Sequence, residues 1–399
     1  MTDLLSVDEA LGRVLARATP LAAEAVPLAE AGGRILAESA RAPVDVPPFP
    51  SSAMDGFALR AADTPGALPV VGARIAAGRP AARALASGEA MGIATGGVVP
   101  DGADAVVPSE RVVEHANTIE IPAAVAPGDN VRPRGGDVHA GDEAVAAGSV
   151  LTPSRIAALA ACGVTRVRCG VRPRVVVLAT GTELRAPGEA LRVGEIYESN
   201  GIMLEAALAV AGALVERLGS VADDDSSQRN AIERALSADV VVTSGGVSVG
   251  PHDLVRRIER SLGVEEVFWG VAMRPGKPLS FGVRGSTLVF GLPGNPVSSL
   301  VGCLLFVRPA VLALQGASDP GPRYLPGVLA APVHRNPARD DFVRARGTWG
   351  DVGVELQPIA GQESHMIVRS AAADALVHIP RGDGVVAAGA AVRYLPLYT

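Results

Sequence analysis

The 399 residues leave room for roughly two to four domains, and with only 3% aromatic residues the core must be Ala, Val and Leu. So few rings exclude stacking platforms for single-stranded nucleic acid, and a net charge of −6 argues against a general polyanion binder. A small anionic substrate held by local Arg or Lys stays within reach, since a local cluster can act against the global sign.

The N-terminus carries Asp3, Asp8 and Glu9 instead of a basic region before an apolar run, so no signal peptide is expected. Ser6-Val7-Asp8-Glu9 is a capping box that predicts a helix ending before Pro20, with a second helix over 27–40. Pro43, Pro47, Pro48 and Pro50 then predict an extended linker into Ser51-Ser52-Ala53-Met54-Asp55-Gly56. On its own Asp55 is a turn residue; its place between a stiff linker and an apolar strand also suits a site. Short β-type runs at 68–71, 106–108 and 118–121 predict a small all-β lobe. Within it lie two polar turns, Ala94-Thr95-Gly96-Gly97 and Arg132-Pro133-Arg134-Gly135-Gly136-Asp137. The second suits a phosphate beside a metal, although such a turn by itself is more often a solvated one.

Thr152-Pro153 starts a helix in N-cap and N1 positions. Residues 174–179 form the first continuous strand and run into Thr180-Gly181-Thr182-Glu183-Leu184. A helix over 199–212, an apolar stretch 213–221, the acidic run Asp223-Asp224-Asp225, a helix over 226–237 and a strand over 238–243 follow. This alternation predicts a doubly wound domain over 172–316. Glu183 and Asp223 or Asp224 should fall just past strand ends, on the edge that carries the turn Ser244-Gly245-Gly246-Val247-Ser248-Val249-Gly250-Pro251-His252-Asp253. Gly245 and Gly246 let the backbone approach an anion, and Asp253 stands where it caps the next helix or holds a metal.

Two stiff loops come next, Arg274-Pro275-Gly276-Lys277-Pro278 and Gly291-Leu292-Pro293-Gly294-Asn295-Pro296. Of 36 basic residues Lys277 is the only lysine, which favours a need for a compact ammonium over chance survival under a bias toward arginine. Carboxylates, glycine turns and Lys277 thus converge on one crevice. It suits a metal-assisted phosphate or pyrophosphate better than nicotinamide, since no GxGxxG follows a strand. The apolar run 300–314, interrupted by Arg308 and Pro309, predicts a buried helix and not a membrane span. Residues 319–399 predict a small β-barrel or sandwich, with strands at 376–379 and 391–394 and a loop Gln362-Glu363-Ser364-His365. Cys162, Cys169 and Cys303 fit no zinc spacing and point to a reducing cytoplasm. No Ser/His/Asp order, HExxH or fixed-period repeat is present.

Six motifs in one order resemble a single family: SAMDG (52–56), RPRGGDV (132–138), TGTEL (180–184), SGGVSVGPHD (244–253), RPGKP (274–278) and GLPGNP (291–296). The family is molybdopterin molybdenumtransferase, related to the C-terminal domain of gephyrin, and the resemblance spans nearly the whole chain. It implies a multidomain α/β chain with a doubly wound α/β domain at 172–318. Flanking it would be a β-rich lobe at 51–140, an elongated supporting domain of 1–50 plus 141–171, and a C-terminal small β-barrel at 319–399. It further implies an elongated homodimer in which the lobe of one subunit faces the α/β domain of the other.

The implied reaction takes adenylylated molybdopterin and molybdate, with Mg²⁺, to molybdenum cofactor and AMP. The motifs carry over Asp55, Asp137 and Lys277 as catalytic residues. Thr95, Gly245, Gly246, Ser248, Arg274, Pro293, Pro296 and Ser364 carry over as substrate-binding residues, and Glu183, Asp223, Asp224 and Asp253 as metal ligands. Thr182, Gly136 and Arg274 depart from the residues usual in the family (Asp, Glu and Lys). Implied partners are the molybdopterin adenylyltransferase and molybdoenzyme apoproteins, with neither nucleic acid nor membrane. Two other readings stay open: the preceding adenylyltransferase step, and a non-catalytic molybdopterin-binding scaffold.

Overall fold

The computed structural model describes residues 4–221, 224–246, 254–350 and 353–397. Its first helix, Val7–Leu15, opens with the capping box complete: Glu9 N–H donates to Ser6 Oγ at 3.2 Å and Ser6 N–H to Glu9 Oε2 at 2.9 Å. Val7, Ala10 and Val14 bury against the core of the α/β domain, beside Ala310 and Leu314.

The helix expected over 27–40 does not form. Ala23–Pro27 is instead a strand, antiparallel to Arg166–Gly170, followed by a short 3₁₀ turn at Leu28–Glu30. Gly33 sits at φ +74°, a conformation that ends a helix, and the chain then bridges Ile35 to Val150 and Leu36 to Cys169. Val26, Leu28 and Leu36 gain a core of their own with Val145, Leu151, Leu159 and Val167, and that burial overrides helical propensity. The helix Pro153–Ala161, capped by Thr152, closes this core through Leu159. Between the two halves the chain builds two three-stranded sheets, one centred on Gly56–Leu59 and one on Thr118–Ile121.

The α/β domain carries one six-stranded sheet in the order Leu214–Val221, Arg174–Thr180, Val240–Ser244, Thr287–Leu292, Ser280–Arg284, Glu265–Trp269. The first four are mutually parallel, and the last two pairings are antiparallel, so that only Ser280–Arg284 runs against the rest. Successive side chains leave opposite faces of a strand. Val175, Val177, Val240 and Val242 therefore join one core, while Val176, Leu178 and Val241 join another across the sheet. Apolar burial on both faces is why these strands read as unbroken valine runs.

The helical run Pro296–Leu314 has the length and hydropathy of a membrane span, yet 83% of its most apolar window is buried inside the protein. Cys303–Val307 makes one π-turn just before Pro309, whose missing N–H interrupts the regular ladder. Burial of the Cys303 thiol pushes its pKa up to about 12, so it packs as an inert apolar group.

At the C-terminus, Asp340–Gly350, Gly353–Pro358, Leu325–Leu329, Ala391–Pro396 and Ala375–Ile379 pair in that order, and the last closes onto the first. The result is a closed five-stranded barrel, as the sequence leads one to expect. A two-residue strand, Met273–Arg274, pairs in parallel with Asp340 and Asp341 at the start of the first barrel strand. The loop that carries Lys277 is thereby joined to the barrel.

Candidate active site at the switch point of the sheet

Arg174–Thr180 and Val240–Ser244 are neighbours in the sheet, and their connections leave in opposite directions. That is the switch point at which open α/β sheets bind ligands. A cavity of about 980 Å³ opens at their carboxyl ends. Thr180, Gly181, Glu183, Asn200, Ser244, Gly245, Gly246, Pro293, Gly294, Asn295 and Pro296 all line it, so the TGTEL, SGG and GLPGNP motifs meet there.

Gly245 (φ +99°) and Gly246 (φ +68°) both adopt backbone conformations that side chains disfavour. A Cβ on Gly245 would stand 2.7 Å from Thr180 O, and one on Gly246 2.4 Å from Val255 Cγ2. Only glycine fits, and the bare backbone faces the cavity.

A hydroxyl and amide network holds this floor rigid. Asn200 Nδ2 donates to Ser244 Oγ (2.9 Å) and to Gly294 O (2.8 Å), Ser244 Oγ lies 3.1 Å from Ser299 Oγ, and Ser299 donates to Pro293 O. Thr180 Oγ1 and Asn200 Oδ1, both buried in the cavity wall, have no hydrogen-bond partner among the described residues. Asn200 and Thr180 were not singled out by the sequence reading. The one signal for Asn200 is Glu198-Ser199-Asn200-Gly201 at a helix start, where buried Glu198 accepts Gly201 N–H at 2.6 Å.

The carboxylates divide. Glu183 lines the cavity, its oxygens beside Gly181. Asp224 is instead the N-cap of the helix Asp225–Ala235: it accepts Ser226 Oγ at 2.6 Å and Ser227 N–H at 2.8 Å. Those bonds, the Ser226 hydroxyl foremost, draw its pKa down to about 2. Asp225, the last residue of the acidic run, does line the cavity and pairs with Arg257 at 2.8 Å. Asp223, Ser248 and Asp253 lie outside the described residues.

Among the described residues no three His, Cys, Asp or Glu gather into a metal site. Glu183 at the cavity wall remains as a hard oxygen donor. One or two carboxylates, with substrate phosphates and water completing the shell, are what Mg²⁺ commonly takes, so this donor set fits a shared ion but not a protein cage.

Pro278 lines the cavity, whereas Lys277 beside it is exposed and is not among the lining residues; its ammonium has no hydrogen bond or ion pair among the described residues. Arg274 points elsewhere. Its Nε donates to Asp341 Oδ1 at 2.7 Å and its Nη2 to Asp341 Oδ2, a bidentate pair with a barrel residue whose side chain is 2% exposed. Ser364 is also a clamp: its Oγ accepts Asn295 Nδ2 (2.9 Å) and its O accepts Val297 N–H (3.0 Å). This fixes the helix start at Pro296 and brings the next residue, His365, to the cavity.

Asp55, Thr95 and Asp137 belong to the β-rich lobe, and none of them lines the cavity. Asp55 Oδ1 accepts Thr95 N–H at 3.0 Å, so these two do come together. The Asp137 loop is pinned separately: Asp137 N–H donates to Val46 O at 2.9 Å, and Asp45 accepts Arg134 Nε and Ala140 N–H. Those two donors, Ala140 first, hold the Asp45 carboxyl below the usual range.

Three family models match the chain in succession: "MoeA N-terminal region (domain I and II)" over 5–163, "Probable molybdopterin binding domain" over 176–313, and "MoeA C-terminal region (domain IV)" over 326–397. A protein of Haemophilus influenzae, "Molybdopterin molybdenumtransferase", is 34% identical over 98% of this chain and 98% of its own. The chain belongs to the molybdopterin molybdenumtransferase family. "Molybdopterin molybdenumtransferase 2" of Mycobacterium tuberculosis is 38% identical over 91% of this chain and 92% of its own. A solved structure, the "molybdopterin biosynthesis moea protein" of Pyrococcus horikoshii, superposes with a TM-score of 0.80 at 33% identity, covering 99% of both chains. The family assignment covers the lobe, the α/β domain and the barrel alike.

Proposed function

We propose that the chain is a transferase of molybdenum cofactor biosynthesis that takes adenylylated molybdopterin and molybdate to molybdenum cofactor and AMP. The observation that carries this reading is the switch-point cavity, where two glycines that tolerate no Cβ present bare backbone beside the Pro293–Pro296 loop. Such a floor accepts the pyrophosphate of an adenylylated pterin, and about 980 Å³ accommodates a ligand of that size.

In the proposed mechanism, the Gly246 N–H and the backbone of the neighbouring Gly294–Asn295 loop face the phosphates, while Gly245 N–H is spent on Leu292 O and Val297 N–H on Ser364 O. The Asn200–Ser244–Ser299 network keeps those two loops at fixed separation. Lys277, a free ammonium on a rotatable stem, meets the incoming oxyanion and stabilises charge on the bridging oxygen as a water oxygen attacks the adenylyl phosphorus, releasing AMP and leaving the bridging oxygen on the pterin phosphate. Glu183 and the substrate phosphates would hold Mg²⁺, which would supply Lewis-acid polarisation of the phosphoryl group.

Asp55 and Asp137 act from the lobe of a second copy in an elongated homodimer, since in their own chain they do not line the cavity. Subunit mixing tests this. Lys277→Ala and Asp137→Asn proteins, each inactive alone, regain up to about a quarter of the wild-type AMP release when co-assembled if the site is shared between copies. No recovery in verified mixed dimers contradicts it.

A further inference from the structure

A second cavity, of about 750 Å³, lies away from the switch point, where three parts of the chain meet. Gly148–Arg155 of the supporting region form one wall, the helical run from Leu304 to Leu312 another, and 317–325 with Leu395 and Pro396 the third. The walls are tied by backbone: Ser318 N–H donates to Gly148 O at 3.1 Å, and a Cβ on Gly148 (φ +77°) would lie 2.7 Å from Ser318.

Three arginines line this cavity, Arg155, Arg308 and Arg323, against one carboxylate, Asp319. The excess of positive charge stands out in a chain whose net charge is −6. Arg308 is the informative member. It interrupts the buried, apolar helical run directly after the π-turn and is half-buried itself. Its guanidinium has neither a hydrogen bond nor an ion pair among the described residues. Arg323 has none either, and Arg155 has only the Val150 carbonyl, at 2.6 Å. A partly buried cation without a counter-charge is costly unless something supplies one. π-turns within helices also recur at functional sites. Apart from Ser149 and Ser318 the rest of the lining is mainly apolar, with Pro309, Leu312, Pro322 and Leu325, so each of the three walls sets a cation beside apolar surface.

We propose that this cavity is a second anion site, which takes a small organic polyphosphate: the phosphates on Arg155, Arg308 and Arg323, and the organic body on the proline and leucine side chains between them. Guanidinium groups suit the task because each can fork two N–H donors onto one phosphate. The site does not depend on the proposed transferase reaction, since it shares no residue with the switch-point cavity.

Calorimetric titration of the full-length protein with ATP, and separately with inorganic pyrophosphate, tests this in a Lys277→Ala background that weakens phosphate binding at the switch point. Saturable binding of ATP is expected, with pyrophosphate at least tenfold weaker because it lacks the organic body. The exposed double variant Arg155→Gln/Arg323→Gln should weaken ATP at least tenfold without lowering Tm. Arg308→Gln should abolish binding, and circular dichroism would establish that it is folded. Equal affinity for the two probes would reduce the site to a charge patch and overturn the claim about the organic body. Absence of saturable binding, or ATP affinity unchanged in the folded double variant, would overturn the site altogether.

Discussion

Arg274 and Asp341 form a bidentate ion pair that joins the loop carrying Lys277 to the C-terminal barrel. The backbone reinforces it, because Met273–Arg274 pairs with Asp340 and Asp341 as a parallel strand. Burial raises the Asp341 pKa while Arg274 opposes the shift, so the carboxylate depends on its arginine. Asp341→Ala should cost about 1–3 kcal/mol, Arg274 being half exposed and able to find water. Its signature is loosened placement of Lys277: turnover falls more than substrate affinity, as steady-state kinetics beside a melting curve would read. An unchanged turnover would show that the barrel does not position the loop.

Lys277→Arg keeps the charge and changes its geometry. The ammonium is exposed and unpaired among the described residues, so Tm should not move. Turnover should fall by about 100-fold, the scale of losing one transition-state donor. Near-normal turnover would remove the argument from the single lysine.

Asp224 is a helix cap here, and Asp224→Ser, which can also cap, should keep both stability and activity, whereas Asp224→Ala should lower Tm. Because the pKa is depressed to about 2, the cap's contribution is fully present above the unfolded value near 3.8 and is lost as pH falls toward 2. The wild-type and Asp224→Ala melting curves should therefore converge over that interval. Loss of activity in a stable Asp224→Ser protein would restore Asp224 as a metal ligand.

Arg344 is 1% exposed and spans the loop before His365, donating to the carbonyls of Gly361, Glu363 and Met366 and to Ser370 Oγ. Burial lowers its pKa. Arg344→Met strands those carbonyls and should cost about 3–5 kcal/mol in chemical denaturation. A cost below about 1 kcal/mol would mean that the loop holds itself.

Much of the α/β domain was legible because its signal is local: valine runs for strands buried on both faces, and glycines just past their ends. The helix expected over 27–40 was not, since the strand partner of Ala23–Pro27 lies at Arg166–Gly170, far along the chain. Motif matching points to Gly245, Gly246, Pro293 and Pro296, which all line the cavity and whose shape is set by their own backbone. It could not tell that Arg274 and Ser364 spend their polar atoms on neighbouring elements, because Asp341 and Asn295 come close only once the barrel has docked. Asn200 is marked only by its place in Glu198-Ser199-Asn200-Gly201 at a helix start, a pattern too common to single it out.

AMP release from adenylylated molybdopterin, followed with saturating Mg²⁺ in the presence and absence of molybdate, tests the central claim most directly. The account predicts that release requires molybdate, that it rises together with reconstitution of a molybdenum apoenzyme, and that Gly246→Ala abolishes both. Tight binding of the nucleotide with no AMP released in molybdate would contradict it, and would leave the cavity as a binding site without catalysis.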